Sequence, residues 1–412
     1  MTYRFTQLKI IAGSLAISLA GAGCTSLLND SPSAETQSVE AQANVDEAQK
    51  QASAAPVPPG VPDFSTALER HSPLGTINGD HRPLAVEVLS AEERFSDAIS
   101  YAAAMDSYAL LIWKNGQLQV EKYFEPHTKD IRSESASMHK SVVGLLIASA
   151  IADGLIESAD DSIGKYLARW ENDPRGDIPL RNLLTMSSGL EPLIYDGSGQ
   201  SEAAKFNAGI GDVRDIIFTR PLSDNISTET FYYSGLVTQL LVLILEEASG
   251  KPYADYLSER LWAPLGAEDA SVWLYEEDGF PRGHTALLAR PRDWLRLGLL
   301  IKDQGKFEGE QLIPEALMEA ATTPSAANAN YGWQIWLGNE YQDMRFYNDA
   351  KIGPSVLASE PYAVDDIVFF DGFGGQRVYT SRSENLVIVR LGALRFDWDD
   401  ARLPNLVIGA PE

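Results

Sequence analysis

The sequence predicts an α/β fold of the α+β type, in which an antiparallel sheet is flanked by helices and carries an inserted helical subdomain. Two observations predict this fold class. Strand patterns occur near both ends of the folded part of the chain, and the segment between them has helical periodicity. Because strands and helices in separate runs favour an α+β architecture, we expect the first and last strands to pair within one sheet.

The strand patterns lie in two groups. Residues 108–113 and 118–124 are apolar or alternating runs that are joined across Asn115-Gly116, a strong signal for a hairpin. Near the C-terminus, residues 367–370, 376–380 and 386–391 have the composition of three further strands.

Two long helices are predicted between these groups. Apolar residues from 137 to about 153 have the spacing of a largely buried helix. A second helix over about residues 237–249 should stop at Gly250. We assign residues 66–412 to one folded domain and about 166–284 to the helical subdomain within it.

The composition excludes several classes of protein. The 412 residues include 58 Asp and Glu against 33 Lys and Arg, and the net charge of −25 repels phosphate backbones, so no nucleic acid partner is expected. One cysteine allows neither an intramolecular disulfide nor a cysteine-based zinc cluster. The five histidines lack a metal-ligand spacing, and no glycine-rich nucleotide loop occurs, so we expect no metal and no cofactor.

The N-terminal segment indicates export. Residues 1–23 combine Arg4 and Lys9 with a short apolar run, which predicts a secretory signal peptide rather than a membrane-spanning helix. The small residues directly before Cys24 resemble a bacterial lipoprotein signal, which implies lipidation of that cysteine. Residues 24–65 then read as the lipidated N-terminus and a disordered linker. We therefore expect an exported, membrane-tethered lipoprotein that faces the periplasm or the cell exterior.

Ser137 is the candidate nucleophile. The pattern Ser-x-x-Lys begins at Ser137 and at Ser162, and only the first copy precedes a long buried helix, which places the hydroxyl and the amine of Lys140 on one face. Lysine can serve as the base only if its pKa falls from about 10.4 toward neutrality, as burial would cause. The alternative reading makes Ser137 a helix cap beside a surface lysine. Ser162 is predicted as a surface cap, and His139 is expected to point to solvent.

Several motifs resemble the serine β-lactamase-related family, which includes class C β-lactamases, D-alanyl-D-alanine carboxypeptidases, esterases and 6-aminohexanoate-dimer hydrolases. The resemblance covers about residues 85–400. Its motifs lie at residues 135–141, 183–190, 233–235, 330–336 and 371–376. The resemblance implies a β-lactamase/transpeptidase-like fold and acyl transfer to a serine.

The family pattern implies roles for residues in these motifs. Lys140 and Tyr233 would move the proton of the Ser137 hydroxyl. The glycine-rich segment of Gly372, Phe373 and Gly374 would let the backbone approach the reacting carbonyl. By the family's geometry, the backbone N–H of Phe373 would then hold the oxyanion together with that of Ser137.

The chain departs from the family at two places. Members usually carry Tyr-x-Asn where Gly235 stands here, so an amide that could bind the substrate or the lysine is missing. The segment before Gly372 lacks the basic residue of Lys-Thr-Gly, which would pair with a substrate carboxylate. Both departures weaken the recognition of penicillin-like or D-Ala-D-Ala substrates. Trp333 and Trp336 are expected to line the substrate pocket.

These observations together predict an exported serine hydrolase that cleaves ester or amide bonds through an acyl-enzyme on Ser137. Its substrate would be a small ester, amide or short peptide-like molecule, and its membrane contact would be the lipid on Cys24. Two alternatives remain open from the sequence. One is a β-lactamase or D,D-peptidase, and the other is a non-catalytic binding lipoprotein on the same fold.

Overall fold

The structure is a computed structural model of the chain. The described residues are 74–194, 201–208, 210–275, 279–351 and 353–410. The predicted signal peptide, the lipidation site at Cys24 and the linker up to residue 65 lie outside them. Within the described ranges, no helix has the length and apolar character needed to cross a membrane.

The elements are numbered here in chain order. The strands are β1 Leu74–Ile77, β2 Glu87–Val88, β3 Ser107–Lys114, β4 Gln117–Tyr123, β5 Ser133–Glu134, β6 Ala270–Trp273, β7 Leu287–Ala289, β8 Lys306–Phe307, β9 Glu310–Gln311, β10 Trp336–Leu337, β11 Met344–Phe346, β12 Ser355–Leu357, β13 Val368–Gly372, β14 Gln376–Ser381 and β15 Leu386–Gly392. The α-helices are α1 Ser96–Ala104, α2 Met138–Ala152, α3 Leu180–Leu184, α4 Glu202–Ala208, α5 Val213–Thr219, α6 Gly235–Ser249, α7 Tyr253–Leu257, α8 Pro291–Lys302, α9 Glu315–Ala321 and α10 Arg402–Ile408.

The main sheet has seven strands in the order β10-β13-β14-β15-β3-β4-β2. The first long strand, β3, pairs antiparallel with the last strand, β15, and Ile112 lies opposite Ile388. This pairing confirms the prediction that the first and last strands belong to one sheet. The sheet is not wholly antiparallel, because the edge strand β2 runs parallel to β4. The chain between β2 and β4 contains α1 and β3, and this supplies the crossover that a parallel pair requires.

The predicted hairpin is formed by β3 and β4. Asn115 and Gly116 have φ angles of 54° and 88°, and two successive left-handed residues are what a type I′ turn requires. The turn therefore follows from these two residue types, since glycine and asparagine tolerate positive φ better than other residues.

The two predicted long helices are α2 and α6. Every residue of α2 from Met138 to Ala150 is buried, so α2 is a central helix that is covered on all sides and packs against α6. Helix α6 begins at Gly235, two residues before the predicted start, and ends where Gly250 adopts a left-handed φ of 64°.

A second sheet, with the order β1-β6-β7-β5, was not predicted from the sequence. Its strands have only two to four residues and are too short to show a periodic pattern. In this sheet β5 pairs with β7, with Glu134 opposite Leu288, and this pairing positions the chain directly before Ser137. Among the described residues, all labelled elements between β5 and β6 are helices, and this agrees with the predicted helical subdomain. The limits of that subdomain near residues 166 and 284 remain a prediction.

Candidate active site

Ser137 occupies a strained turn that is tied to the second sheet. It precedes α2 directly, and the residue before it, Ala136, has a left-handed φ of 48° that is unfavourable for a residue with a Cβ atom. The N–H of Ser135 donates to the carbonyl of Leu287 at 3.1 Å, and its hydroxyl accepts from the N–H of Leu287 at 3.2 Å. The Ser137 side chain makes no capping bond, and the second Ser-x-x-Lys copy begins at an exposed Ser162, as predicted.

Lys140 lies beside the Ser137 hydroxyl and is buried. Its Nζ atom is 2.9 Å from Ser137 Oγ and donates to the carbonyl of His284 at 2.6 Å. Burial lowers the pKa of Lys140 to about 7, although the negative charges of Asp371 and Glu134 act in the opposite direction. A neutral amine keeps two N–H donors and one lone pair, so the bond to His284 leaves the lone pair available to the hydroxyl. The reading of Lys140 as a surface lysine is therefore wrong.

Tyr233 completes the group around the nucleophile. Lys140 Nζ lies 4.9 Å from the centre of its ring. Burial, followed by the charge of Asp371, raises the pKa of Tyr233 well above its ordinary range, while its side-chain contact with Ser137 and the charge of Arg345 oppose the rise. The phenol is therefore protonated at neutral pH and can donate a hydrogen bond.

Aromatic packing and a backbone bond hold Tyr233 in place. Its ring centre lies 5.7 Å from that of Trp336, 5.1 Å from that of Tyr347 and 6.0 Å from that of Tyr331. Its N–H donates to the carbonyl of Tyr347 at 2.9 Å. Trp336 is buried in this cluster, so it packs against Tyr233 instead of facing an open pocket.

His284 occupies the space in front of Gly235. A Cβ atom at position 235 would lie 2.9 Å from His284 Cδ2 and 3.3 Å from Phe206 Cε1. His284 Nδ1 donates to Gln239 Oε1 at 3.1 Å, because the Gln239 amide nitrogen is engaged by the carbonyl of Pro281. The asparagine that the family usually carries does not fit here unless His284 moves. Sequence reasoning missed His284, since no motif surrounds it.

The glycine-rich segment lies against the nucleophile turn. A Cβ atom at Gly372 would be 2.4 Å from the carbonyl oxygen of Ser135, so only glycine permits this approach. Among the described residues, the backbone N–H groups of Ser137 and Phe373 have no hydrogen-bond acceptor. Two unoccupied N–H groups at adjoining turns are what an oxyanion hole requires. Gly374 has a left-handed φ of 73° and continues the turn.

Buried ion pairs occupy the place where the family has a basic residue. Asp371 lies 2.6 Å from Arg377 and 3.3 Å from Arg345, and it accepts a hydrogen bond from the Tyr347 hydroxyl at 2.7 Å. Both arginines also donate to Asp400. The two positive and two negative charges balance, and both arginines form ion pairs with carboxylates of the protein itself. The sequence suggested only that the motif lacks a basic residue and did not indicate these arginines.

The expectation that His139 points to solvent is wrong. His139 lies in the buried part of helix α2, and its Nδ1 donates to the carbonyl of Thr285 at 2.7 Å while Nε2 contacts the Tyr253 hydroxyl at 2.8 Å. Burial lowers its pKa to about 4, so the ring is neutral. His139 thus connects α2 to α7.

Within the described ranges, no group of three His, Cys, Asp or Glu side chains is placed to hold a metal ion.

The surroundings of Trp333 bear on the predicted substrate pocket. It is half-buried and lines a cleft of about 860 Å³ together with Arg181 and Asn182 of α3 and Glu319 of α9. None of Ser137, Lys140 and Tyr233 lines this cleft. The placement of Trp333 at the substrate pocket stays a prediction.

A serine beside a buried lysine and a buried tyrosine has the residue types that acyl transfer to a serine requires. The model of the beta-lactamase family matches residues 94–406, which is more than half of the chain. The chain therefore belongs to the beta-lactamase family, whose members are serine hydrolases.

Curated relatives match part of the chain. It is 23% identical over 229 residues to the 6-aminohexanoate-dimer hydrolase of Paenarthrobacter ureafaciens, covering 54% of this chain and 58% of that protein. It is 27% identical over 143 residues to penicillin-binding protein 4* of Bacillus subtilis, covering 34% of this chain and 30% of that protein. The chain thus spans less than two thirds of the length of these relatives.

Solved structures share the fold over most of their length. A Bacillus anthracis protein assigned as a 6-aminohexanoate-dimer hydrolase has a TM-score of 0.65 at 18% identity, covering 83% of this chain and 90% of that one. EstCE1, a hydrolase with promiscuous acyltransferase activity, has a TM-score of 0.57 at 15% identity, covering 78% and 98%. These comparisons confirm the predicted β-lactamase/transpeptidase-like fold.

The pKa of Lys140 gives a direct test of the site. We expect its amine to titrate at about pH 7, because burial disfavours the ammonium form, and to be neutral above that pH. Lys165 of the second Ser-x-x-Lys copy is the matched control, because it is exposed and its bond to Glu157 raises its pKa. NMR titration of protein with isotope-labelled lysine measures both, and the Lys140→Arg variant identifies the signal. A midpoint for Lys140 above about pH 9 would contradict the assignment.

Proposed function

We propose that this chain is an exported serine hydrolase that cleaves ester or amide bonds through an acyl-enzyme on Ser137. One observation carries the proposal: the buried amine of Lys140 lies 2.9 Å from Ser137 Oγ and has a pKa of about 7. A neutral amine at hydrogen-bond distance is the base that a serine hydroxyl needs. Membership of a family of serine hydrolases supports the same chemistry.

Acylation begins when the substrate carbonyl carbon lies over Ser137 Oγ. The lone pair of Lys140 takes the hydroxyl proton, the bond from oxygen to carbon forms, and the carbonyl electron pair moves to its oxygen. The N–H groups of Ser137 and Phe373 hold this oxyanion. The ammonium of Lys140 passes its proton through the phenol of Tyr233 to the leaving oxygen or nitrogen, and the bond to that atom breaks.

Deacylation uses the same groups in reverse. A water molecule attacks the acyl carbon, and its proton moves to Lys140 directly or through Tyr233. The second tetrahedral intermediate collapses, the proton returns to Ser137 Oγ, and the carboxylic acid product leaves. Because Lys140 titrates at about 7, the same amine can accept and release a proton at neutral pH.

The charges around the nucleophile favour esters and neutral amides. Penicillins and D-Ala-D-Ala peptides carry a carboxylate that needs a cation in the site, and both Arg345 and Arg377 are bound to internal carboxylates. His284 also takes the space of the amide that the family uses beside the substrate. The names of the dimer hydrolase and of EstCE1 agree with amide or ester cleavage.

Covalent labelling tests the nucleophile. A fluorophosphonate probe should modify Ser137, as mass spectrometry of the peptides would show, and Ser137→Ala should abolish labelling. Lys140→Met and Tyr233→Phe should slow the hydrolysis of a p-nitrophenyl ester by about 10²- to 10⁴-fold, because proton transfer is lost. Ser162→Ala is the matched control and should behave like the wild type. An unlabelled wild-type protein would support the non-catalytic alternative.

Substrate preference separates this proposal from a β-lactamase or D,D-peptidase. We expect kcat/KM for p-nitrophenyl butyrate to exceed that for nitrocefin and for a D-Ala-D-Ala peptide by about 10- to 100-fold. The reason is that Arg345 and Arg377 are already bound to internal carboxylates and cannot pair with that of the substrate, since a charged hydrogen bond contributes about 1.5–3 kcal/mol. The reverse order of kcat/KM would assign the chain to the β-lactamase or D,D-peptidase alternative.

The export and tether part of the proposal is supported by the pattern of residues 1–23 and Cys24. In bacterial cells, the mature chain should begin at Cys24 and carry acyl groups, and Cys24→Ala should leave the protein without lipid. Mass spectrometry of the N-terminal peptide and membrane fractionation measure this. A mature chain with an unmodified Cys24 would overturn the tether and leave the catalytic proposal unaffected.

A further inference from the structure

Two buried arginines bind carbonyl groups of residues 372–375, a segment that we call the oxyanion loop. Arg377 Nη1 donates to the carbonyl of Gly372 at 2.7 Å, and Arg390 Nη1 donates to the carbonyl of Gly374 at 3.2 Å. Both side chains are almost completely inaccessible to solvent, at 1% and 0% exposure. The loop that borders the nucleophile is therefore held from inside the protein.

The bond from Arg377 to the Gly372 carbonyl helps to fix the direction of the Phe373 N–H group, together with the longer bond from the Gly375 N–H to the same carbonyl at 3.2 Å. In a trans peptide the carbonyl and the following N–H point in opposite directions, and the peptide between these two residues is trans. Since the Gly372 carbonyl points to Arg377, the N–H of Phe373 points away from Arg377. Gly372 itself lies against the carbonyl of Ser135, so the loop adjoins the turn that carries Ser137.

Arg377 is rigid because carboxylates bind it on two sides. Its Nε and Nη2 atoms donate to one oxygen of Asp400 at 2.9 and 2.6 Å, and Nη1 lies 2.6 Å from Asp371. Arg345 binds the other oxygen of Asp400 and completes a neutral group of four charges. A guanidinium that is fixed in this way holds the Gly372 carbonyl with little freedom to move.

Arg390 has a different environment. Among the described residues, no carboxylate forms an ion pair with it, and its donors reach the Ser107 hydroxyl at 2.9 Å and the carbonyls of Met105, Ala393 and Gly374. Burial lowers its pKa to about 9. A buried cation without a carboxylate partner is costly for folding and leaves positive potential beside the loop.

We propose that Arg377 and Arg390 are positioning residues of the oxyanion hole. Arg377 holds the peptide between Gly372 and Phe373 so that the N–H of Phe373 faces the oxygen of the tetrahedral intermediate, and Arg390 holds the Gly374 carbonyl and adds positive potential behind the loop. The inference rests on the proposed function of Ser137. Neither arginine touches the reacting atoms, and both act through the backbone of the oxyanion loop. Arg390 places positive charge behind the loop, whereas the motif lysine of the family would place it at the substrate.

The test compares Arg377→Met and Arg390→Met with the wild type. Arg292→Met is the matched control, because Arg292 pairs with Glu121 away from the loop. We expect each test variant to lower kcat for p-nitrophenyl butyrate by about 10- to 100-fold, below the roughly 10²- to 10³-fold loss caused by removing an oxyanion donor. KM should change by less than about threefold, and inhibition by butylboronic acid, which mimics the tetrahedral intermediate, should weaken by the same factor as kcat.

A purely structural role would lower the unfolding temperature and leave kcat of the folded enzyme unchanged. Folded variants whose kcat and boronate inhibition constant stay within about twofold of the wild type would therefore overturn the inference. Should the methionine variants fail to fold, Arg377→Lys keeps the charge and loses the forked bond, and an unchanged kcat in that variant overturns the inference equally. A wild-type protein that neither reacts at Ser137 nor binds the boronate contradicts the proposed function instead.

Discussion

The burial of Lys140 is the constraint on which the site depends. The amine lies on a helix that is covered on all sides, so the surroundings disfavour its charged form and lower its pKa to about 7. The packing of α2 against α6 and the sheet maintains this burial. The amine therefore owes its neutral form at pH 7 to the hydrophobic core, and any change that admits water to α2 would raise the pKa and leave less of the amine deprotonated to act as the proposed base.

The second property of the site is its internal charge balance. Arg345 and Arg377 meet Asp371 and Asp400 below the glycine-rich loop, and the four groups are buried together. Charged groups that are buried away from water need oppositely charged partners. Because Arg345 and Arg377 are already paired with Asp371 and Asp400, they are not available to bind a charged substrate. Of the two arginines, Arg377 also holds backbone carbonyls, those of Gly372 and Gln376. This arrangement is the basis of the proposed preference for uncharged substrates.

The departure of Gly235 from the family pattern has a structural counterpart. The ring of His284 fills the space that a side chain at 235 would need, and the carbonyl of His284 accepts the hydrogen bond from Lys140. One residue therefore both excludes the usual asparagine and orients the base. The side-chain oxygen of Gln239 accepts hydrogen bonds from the ring and from the backbone N–H of His284, and these bonds fix the position of His284.

Local patterns in the sequence determined the hairpin at Asn115, the helices α2 and α6, the C-terminal strands and the motif of Ser137 and Lys140. These features depend on residues that are close in the chain, where periodicity and turn chemistry act directly. Only the tertiary structure decided the burial of His139, the four-stranded sheet and the bond between Arg345 and Asp400, which are 55 residues apart. Such pairings leave no local signal, because the surroundings of a buried charge are formed by segments that meet only after folding.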